Sequence, residues 1–283
     1  MKSNFIKCPL NYIGGKTKLL PQILPLFPQN IDTFVDLFCG GANVCVNVNA
    51  KRKIANDNNT NVIGIFKAFQ KYTIDDIISY VDSTIKAHGL NKLNKEGYLK
   101  FRENYNNSTD KNPLDLFILI CHAFNNQIRF NSKGGYNMPF GLNRSEFNKS
   151  IRNNLINFCK GISDISFFSN DFRNINLDEF GNNDFIYCDP PYLITCASYN
   201  ENDGWGVREE KDLYDLLDRA DSKGIKFGMS NVLSNKGRTN EMLFKWATDN
   251  DYIIHHLNMS YSNCNYHIKD KQSITDEVLI TNY

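Results

Sequence analysis

Residues 34–41 read Phe34-Val35-Asp36-Leu37-Phe38-Cys39-Gly40-Gly41, a short apolar run that closes on two adjacent glycines. Such a run predicts a buried strand that leads into a tight turn. Residues 42–49 then predict a helix, and Lys53-Ile54-Ala55-Asn56-Asp57 predicts a second strand that ends in an acidic residue. Strand, glycine turn, helix, strand and acid follow one another in the order of a nucleotide-binding βαβ unit.

The rest of the chain extends this pattern. Strand-like runs occur at 165–168, 184–188, 224–229, 252–257 and 276–281, and helical stretches occur at 209–222 and 239–248. Alternating strands and helices predict an α/β fold with a mostly parallel sheet covered on both faces. Residues 61–125 have helical periodicity instead, and they precede a predicted β-hairpin at 128–140 and a helix at 146–160. We therefore expect a discontinuous α/β domain, 1–60 with 161–283, interrupted by an inserted module, 61–160.

Composition excludes several classes of protein. The chain has 283 residues, 41% of them hydrophobic and 22% charged, which is typical of a globular protein. It lacks an apolar run of bilayer length and an apolar signal segment, so a cytoplasmic location is expected. Its net charge of +1 conceals an acidic stretch at 171–221 and a basic start at 1–30. Eight cysteines at irregular spacing and five histidines without ligand spacing favour buried reduced thiols over disulfides or a metal site.

The sharpest chemical signal is Asp189-Pro190-Pro191-Tyr192, directly after the strand predicted at 184–188. In open α/β sheets, ligands bind beyond the carboxyl ends of the strands. The amine of a nucleobase is a poor nucleophile because its lone pair is delocalised into the ring. The Asp189 carboxylate and the Pro190 carbonyl can each accept one N–H and free that lone pair, while the prolines stiffen the loop. Tyr192 supplies a ring that can stack on the base. A rigid surface turn is the alternative interpretation.

Two further motifs are weaker. The glycines at 40 and 41 allow a ligand to approach the backbone closely, and Asp57 occupies the position of a ribose-hydroxyl acceptor in nucleotide-binding sheets. Tyr12-Ile13-Gly14-Gly15-Lys16 precedes the first strand, either as a ligand-binding turn or as a simple turn with a solvated lysine. The following Thr17 invites a phosphate-loop interpretation, but Leu10 stands where that motif needs its first glycine, which argues against an ATPase.

In this order, the three motifs resemble those of the Dam-type DNA adenine-N6 methyltransferases of the D12 class, alpha group. The resemblance runs from residue 11 to the C-terminus, including 124–141, Leu193-Ile194-Thr195, 224–233 and 275–278, and it is closest to the T-even bacteriophage branch. It implies a Rossmann-like, S-adenosylmethionine-dependent sheet with an inserted, mostly helical DNA-recognition domain that carries a β-hairpin. It also implies transfer of a methyl group to a flipped adenine in duplex DNA, with GATC as the family's usual site, S-adenosylhomocysteine as product, no metal and no obligate protein partner.

The resemblance also implies roles for individual residues. Catalysis is expected from Asp189, Pro190, Pro191 and Tyr192. The expected cofactor contacts are Tyr12, Gly14, Lys16, Asp36, Phe38, Cys39, Gly40, Gly41, Asp57, Asp171, Phe172 and Asp189. The expected DNA contacts are Lys16, Phe124, Asn125, Gln127, Arg129, Asn131, Lys133 and Pro139. Among these, Phe124 matches an aromatic that wedges into the base stack, and Arg129 matches an arginine that reads guanine.

The chain departs from the family pattern at two places. Many members have alternating glycines after the phenylalanine, whereas Gly40 and Gly41 are adjacent here, and Gln127 occupies a position that is often apolar. Because an Asp-Pro-Pro-Tyr loop serves any exocyclic amine, a cytosine-N4 methyltransferase and an RNA adenine methyltransferase remain open as alternatives. A third alternative of a different class is a catalytically silent DNA-binding protein built on the same fold. The sequence also leaves open a restriction–modification, phage or housekeeping role.

Overall fold

A computed structural model describes residues 5–194, 205–258 and 275–283. The helices are α1 (Leu20–Ile23), α2 (Thr60–Lys71), α3 (Ile74–Ala87), α4 (Lys95–Asn107), α5 (Pro113–His122), α6 (Lys149–Gly161), α7 (Val207–Ser222) and α8 (Glu241–Asp249). The strands are β1 (Ile31–Asp36), β2 (Ala50–Asn56), β3 (Ile165–Phe168), β4 (Phe185–Cys188), β5 (Lys226–Asn235), β6 (Arg238–Thr239), β7 (Ile253–Leu257) and β8 (Asp276–Thr281). The chain divides into two compact units: residues 1–17, 40–47 and 59–169 form the first, and residues 18–39, 48–58 and 170–283 form the second.

The second unit is built on a mixed sheet with the strand order β2-β1-β4-β5-β8-β7, and β6 pairs with β5. Neighbours among β2, β1, β4 and β5 run parallel, whereas β8 runs antiparallel to both β5 and β7. Every residue of β4 is buried, as expected for a parallel strand covered on both faces. The expected α/β fold with a mostly parallel sheet is confirmed.

The core of the second unit forms where α7 and α8 cover the sheet. Leu213 and Leu217 of α7 belong to one buried apolar cluster with Phe227 of β5 and Ile280 of β8. The ring of Trp246, from α8, stacks on that of Phe227 with centroids 6.1 Å apart. The strands predicted at 165–168 and 276–281 have the observed bounds, and the other predicted strands and helices that follow residue 160 overlap observed ones.

The first unit is mainly helical, from α2 to α6. Phe66 and Phe69 of α2 contact Phe158 of α6 and Phe117 of α5, with ring centroids 5.3 and 5.2 Å apart. Four of its helices begin at an asparagine whose side-chain oxygen accepts a backbone N–H of the first turn, a preferred N-cap. These are Asn59, Asn94, Asn112 and Asn148. The abundance of asparagine in this sequence therefore has a structural use.

One predicted helix is wrong. The segment 42–49 forms turns, and its first residue, Ala42, has a φ of +52°. Within it, the Oδ1 of Asn43 accepts the N–H of Cys8 at 2.9 Å, and the Oδ1 of Asn47 accepts the N–H of Ile6 at 2.9 Å. Asparagine and valine are poor helix formers, and here asparagine bonds backbone elsewhere in the chain. The glycine turn therefore does not lead into a helix N-terminus.

Within the described residues, no helix is long and apolar enough to cross a bilayer, and no group of histidine, cysteine and acidic side chains has the arrangement of a metal site. Six cysteines of that part of the chain are buried free thiols, which agrees with the prediction. Cys196, Cys264 and His267, which entered that prediction, and Thr195, which entered the resemblance, lie outside the described residues.

Candidate active site

Three predicted acidic residues follow one another along one edge of the sheet. Asp36 is the last residue of β1, and its neighbours in register are Ala55 of β2 and Tyr187 of β4. Asp57 and Asp189 each stand two residues beyond those partners, so all three lie at the carboxyl ends of parallel strands. Asp36 and Asp57 are buried, and Asp189 is half-buried. Since ligands bind at this edge of open α/β sheets, the sheet brings these predicted residues together.

The Asp189–Tyr192 loop directly follows β4 and is held in place by hydrogen bonds. Pro190 is buried and Pro191 is exposed. The Tyr192 hydroxyl oxygen lies 2.9 Å from Asp189 Oδ1 and 3.2 Å from Oε1 of Glu277, on β8. Burial, with the carboxylates of Asp189 and Glu277, raises the pKa of Tyr192 well above its usual value, so the hydroxyl keeps its proton and donates it. The hydroxyl therefore fixes the ring of Tyr192 beside Asp189.

An aromatic cluster lies beyond the same edge of the sheet. The ring of Phe38, which follows β1, has its centroid 5.2 Å from that of Phe172 and 5.4 Å from that of Trp205, and Phe172 lies 5.5 Å from Trp205. Phe38 and Phe172 were predicted site residues, and the structure brings them together. Trp205 was not among the predicted site residues, although a tryptophan between two glycines (Gly204 and Gly206) just before a helix is an unusual local pattern.

A buried carboxylate holds Trp205. Glu210, in the first turns of α7, accepts the indole N–H of Trp205 on Oε2. Its Oε1 accepts the hydroxyl of Tyr214 at 2.7 Å and the amide N–H of Asn231 at 3.1 Å. Burial raises the pKa of Glu210 above its usual value of 4.5, and the three hydrogen bonds oppose this shift. The sequence analysis missed this residue as well, because an acidic residue in a first helical turn is ordinary.

Asp171 is exposed and already bonded. Its Oδ1 accepts the backbone N–H of Arg173 at 2.9 Å, and its Oδ2 lies 3.0 Å from the Arg173 guanidinium. The same guanidinium bonds Asp212 and Glu209 of α7 and lies 4.6 Å from the ring centroid of Phe172. The predicted pair of Asp171 and Phe172 thus stands in a local ionic network that fastens the segment after β3 to α7.

In the first unit, residues 12–16 form a tight turn against the glycine pair. The N–H of Gly15 donates to the Tyr12 carbonyl at 3.2 Å, and Gly14 has the φ of +80° that this turn requires. Buried Lys16 turns back and donates to the Gly14 carbonyl at 3.0 Å. A Cβ on Gly40 would lie 2.8 Å from the ring of Tyr12, so the glycine makes room for this ring.

The remaining residues of the glycine loop are tightly packed. A Cβ on Gly41 would lie 2.9 Å from Nδ2 of Asn43, so a larger residue there would displace this side chain. Cys39 precedes the two glycines and has a buried free thiol. Its backbone N–H donates to the Asn56 carbonyl at 2.8 Å. This bond joins the loop after β1 to the end of β2.

The predicted hairpin is present, with one antiparallel bridge between Phe130 and Tyr136. At its tip, Asn131 Oδ1 accepts the backbone N–H groups of Lys133 and Gly135, and Gly134 has a φ of +74°. The predicted DNA contacts Asn131 and Lys133 are exposed there.

Farther along the hairpin, the guanidinium of exposed Arg129 donates to the Asn137 side chain at 2.8 Å and to its carbonyl at 3.1 Å. Pro139 is exposed and Gln127 is half-buried, with a carbonyl that accepts the Tyr136 hydroxyl. These hydrogen bonds to Asn137 hold the Arg129 guanidinium against the surface of the hairpin.

Helix α4 holds the hairpin through three polar side chains spaced four residues apart. Tyr98 and Arg102 donate to the Met138 carbonyl at 2.9 and 2.7 Å. Asn106 accepts the backbone N–H of Tyr136 at 2.8 Å and donates to its carbonyl at 3.0 Å. Residues i, i+4 and i+8 share one helix face, so this spacing was the available signal that the sequence analysis missed.

A second exposed feature lies at the predicted wedge. Phe124 is 39% exposed, and the Arg144 guanidinium lies 4.9 Å from its ring centroid. Nη1 of Arg144 also donates to Asn125 Oδ1 at 3.2 Å, while the Asn125 carbonyl accepts the side-chain N–H of Asn11. Asn125 and Asn126 both have positive φ, 54° and 52°. The predicted residues Phe124 and Asn125 therefore sit on a tight, strained corner with an arginine that the sequence analysis did not single out.

Comparison with known proteins shows the family of this chain. The D12 class N6 adenine-specific DNA methyltransferase family matches residues 12–271. The chain is 46% identical over 287 residues to the Type II methyltransferase M.FokI of Planomicrobium okeanokoites and 45% identical over 285 residues to the modification methylase StsI of Streptococcus sanguinis. Each match covers 99% of this chain and 43% of the relative.

A more distant relative is the DNA N-6-adenine-methyltransferase of Escherichia phage P1, 25% identical over 84% of this chain and 31% of the relative. The chain thus spans less than half the length of these three relatives. Its match to the family nevertheless runs through the glycine turn, the inserted module and the Asp189–Tyr192 loop. The chain belongs to the D12 class N6 adenine-specific DNA methyltransferases.

Proposed function

We propose that this chain transfers a methyl group from S-adenosylmethionine to N6 of an adenine flipped out of duplex DNA. The observation that carries the proposal is the Asp189–Tyr192 loop, fixed by the Tyr192 hydroxyl at the carboxyl end of β4, in a chain of this family. A stacked base cannot present its amine at such a corner, so the base has to leave the duplex, at a cost of a few kcal/mol.

The residues at the sheet edge fit the proposed cofactor. S-adenosylmethionine has a flat adenine, a ribose with two hydroxyls and a positively charged sulfonium, and when bound it supplies a methyl group that is activated for transfer. The rings of Phe38, Phe172 and Trp205 suit the adenine, the buried acid Asp57 suits the ribose, and Asp36 suits a cationic ligand. Tyr12, Gly14, Lys16, Gly40, Gly41, Cys39 and Asp171 stay predicted cofactor contacts from the resemblance.

In the proposed mechanism, Asp189 and the Pro190 carbonyl each accept one N–H of the target amine. These bonds draw the nitrogen toward tetrahedral geometry and make its lone pair available for the methyl group. Tyr192 then stacks on the base and holds it in plane. Positioning and stabilisation of the developing positive charge supply most of the acceleration, and neither a metal nor a covalent enzyme intermediate takes part.

We further propose that the inserted module, 61–160, reads the DNA. Arg129, Asn131, Lys133 and Pro139 are exposed on the hairpin, as a groove-reading element requires. Phe124 is proposed as the wedge, and Asn125, Gln127 and Lys16 as further contacts. GATC as target rests on the resemblance alone. The expected placement in the T-even bacteriophage branch is not supported, because the relatives of 45–46% identity are a Type II methyltransferase and a modification methylase from bacteria. Since relatives carry the name of modification methylases, we propose a cytoplasmic role in a restriction–modification system.

The test is methylation of duplex DNA by the purified chain with a radiolabelled methyl donor. Digestion and mass spectrometry should identify N6-methyladenine, and methylation-aware sequencing should give the target. N4-methylcytosine as product, or activity on RNA alone, would replace the proposal with one of the alternatives.

Asp189→Ala is the matched variant for this test. It should lose at least about 100-fold in the rate of methyl transfer, since a positioned proton acceptor contributes 10²–10⁴-fold, while duplex binding stays within about twofold. Absence of methyl incorporation by the wild-type chain with intact DNA binding would instead support a silent DNA-binding protein.

A further inference from the structure

Glu277 is a buried carboxylate to which the proposed mechanism gives no role. It lies on β8, opposite Val232 of β5 and Leu257 of β7, and it is only 4% exposed. Burying a carboxylate costs several kcal/mol unless hydrogen bonds compensate it. Its Oε1 lies 3.2 Å from the hydroxyl oxygen of Tyr192, so this buried carboxyl group stands one hydroxyl away from Asp189.

The hydroxyl of Tyr192 has two carboxylate acceptors for one proton. Asp189 Oδ1 lies at 2.9 Å and Glu277 Oε1 at 3.2 Å, both within hydrogen-bond distance. Burial and these carboxylates raise the pKa of Tyr192, so the hydroxyl remains a donor throughout. Its proton can therefore change acceptor by rotation about the C–O bond, without a movement of the ring.

The proposed reaction changes the charge of one of these acceptors. In the proposed transfer, the bond from nitrogen to the methyl carbon would form as the carbon–sulfur bond of the sulfonium donor breaks and leaves its electron pair on sulfur. The nitrogen would then be cationic and still carry two hydrogens, so one must leave. Asp189 is the nearest proposed acceptor. An N–H bond breaks, its electron pair stays on nitrogen, and an O–H bond forms on Asp189. The neutral carboxyl group is then a weaker acceptor than a carboxylate, because hydrogen bonds to charged groups are about twice as strong.

We infer that Glu277 is a positioning residue that takes over the hydrogen bond of Tyr192 when Asp189 accepts the proton of the amine. The inference rests on the proposed function. Tyr192 keeps its own proton and changes only its acceptor, from Asp189 Oδ1 to Glu277 Oε1. Glu277 acts through Tyr192 and touches no reacting atom. Its negative charge keeps the stacking ring in one position while the charge on Asp189 changes.

The experiment compares Glu277→Gln and Tyr192→Phe, singly and together. Glutamine keeps the volume of the side chain and an oxygen acceptor but removes the charge, and phenylalanine keeps the ring but removes the hydroxyl. Single-turnover methyl transfer should fall about tenfold in Glu277→Gln, with the KM values for DNA and cofactor within about twofold of wild type. In the Tyr192→Phe background, Glu277→Gln should change the rate less than twofold, because the hydroxyl through which Glu277 acts has been removed.

A second measurement needs neither cofactor nor DNA. In protein labelled with ¹³C-tyrosine, the Tyr192 signal is identified by its absence in Tyr192→Phe and should shift in Glu277→Gln. Glu241→Gln, an exposed substitution of the same kind on α8, is the control and should leave both the rate and the signal unchanged. Thermal unfolding of each variant checks that it is folded.

Three outcomes would overturn the inference: a wild-type rate in Glu277→Gln, an equal loss in the Tyr192→Phe background, or an unmoved Tyr192 signal. The second would show a structural role that does not pass through Tyr192. If the wild-type chain does not methylate DNA while the Tyr192 signal still shifts, the proposed function fails and the hydrogen-bond network stands.

Discussion

Replacing Glu210 with glutamine should release Trp205 while leaving its neighbours bonded. One carboxylate oxygen serves Tyr214 and Asn231, and the other serves the indole N–H. The single side-chain oxygen of glutamine can still accept the hydrogen bonds of Tyr214 and Asn231. Its NH₂ group then faces the indole N–H, and two donors cannot form a hydrogen bond. Trp205 therefore loses the bond that holds it beside Phe38 and Phe172.

The size of the effect follows from the bond that is lost. A hydrogen bond to a charged group is worth about 1.5–3 kcal/mol, and the substitution recovers part of this because no charge is buried. We expect a net loss of about 1.4 kcal/mol in the ordering of Trp205, which corresponds to roughly tenfold weaker binding of S-adenosylhomocysteine at pH 7.

Fluorescence and calorimetry measure this. The chain has two tryptophans, so Trp246→Phe isolates the emission of Trp205. In that background, Glu210→Gln should shift the emission to the red, and titration calorimetry should show the weaker binding of S-adenosylhomocysteine. Asp215→Asn, an exposed charge loss on the same helix, is the control. Unchanged emission together with unchanged affinity would refute the reasoning.

The same variant has a pH signature. Burial raises the pKa of Glu210 in the folded state above 4.5, so folding favours its protonated form. Its contribution to stability is complete below 4.5 and declines as the pH rises through the folded-state value. The free energy of unfolding of wild type minus that of Glu210→Gln should therefore decrease from pH 4 to pH 7. A difference that grows over this range would contradict the assignment.

Three further substitutions test the proposed contacts. Arg129→Ala should reduce preference for the cognate site by about 1–3 kcal/mol, more than it reduces overall DNA affinity, in competition binding assays; equal losses would contradict base reading. Asp57→Ala should weaken S-adenosylhomocysteine binding at least about tenfold by calorimetry, and an unchanged affinity would refute the ribose contact. Asn106→Ala removes two hydrogen bonds to the Tyr136 backbone, so it should lower the free energy of unfolding by about 1–3 kcal/mol and reduce target preference. Asn104→Ala, an exposed substitution on the same helix, is the control and should change neither quantity.

The α/β sheet was predictable because its strands have a recognisable local sequence pattern. Phe34 and Val35, and likewise residues 185–188, are continuous apolar runs because both faces of these strands are covered. Asp36, Asp57 and Asp189 end or follow such runs, and the carboxyl ends of parallel strands meet at one edge. The grouping of these acids was therefore implied by the order of strands and helices.

The remaining features depend on contacts that are distant in sequence. The segment 42–49 does not form a helix because Asn43 and Asn47 bond residues 35 and 41 positions away. Glu277 meets Tyr192 across 85 positions. Neither local periodicity nor composition encodes such pairs, so the partners of Glu277, of Trp205 and of the polar face of α4 became visible only in three dimensions.

The way α4 holds the hairpin has a consequence for how such an enzyme changes its target. Helix α4 forms hydrogen bonds with main-chain atoms of Tyr136 and Met138 through Tyr98, Arg102 and Asn106. Those main-chain atoms are the same whatever amino acids stand at the exposed positions 129, 131, 133 and 139. Point mutations at positions 129, 133 and 139 should therefore alter the proposed reading surface without breaking these bonds, whereas Asn131 also holds the tip of the hairpin. Under the proposed function, selection can therefore change the recognition sequence through a few exposed side chains while the backbone bonds to α4 stay in place.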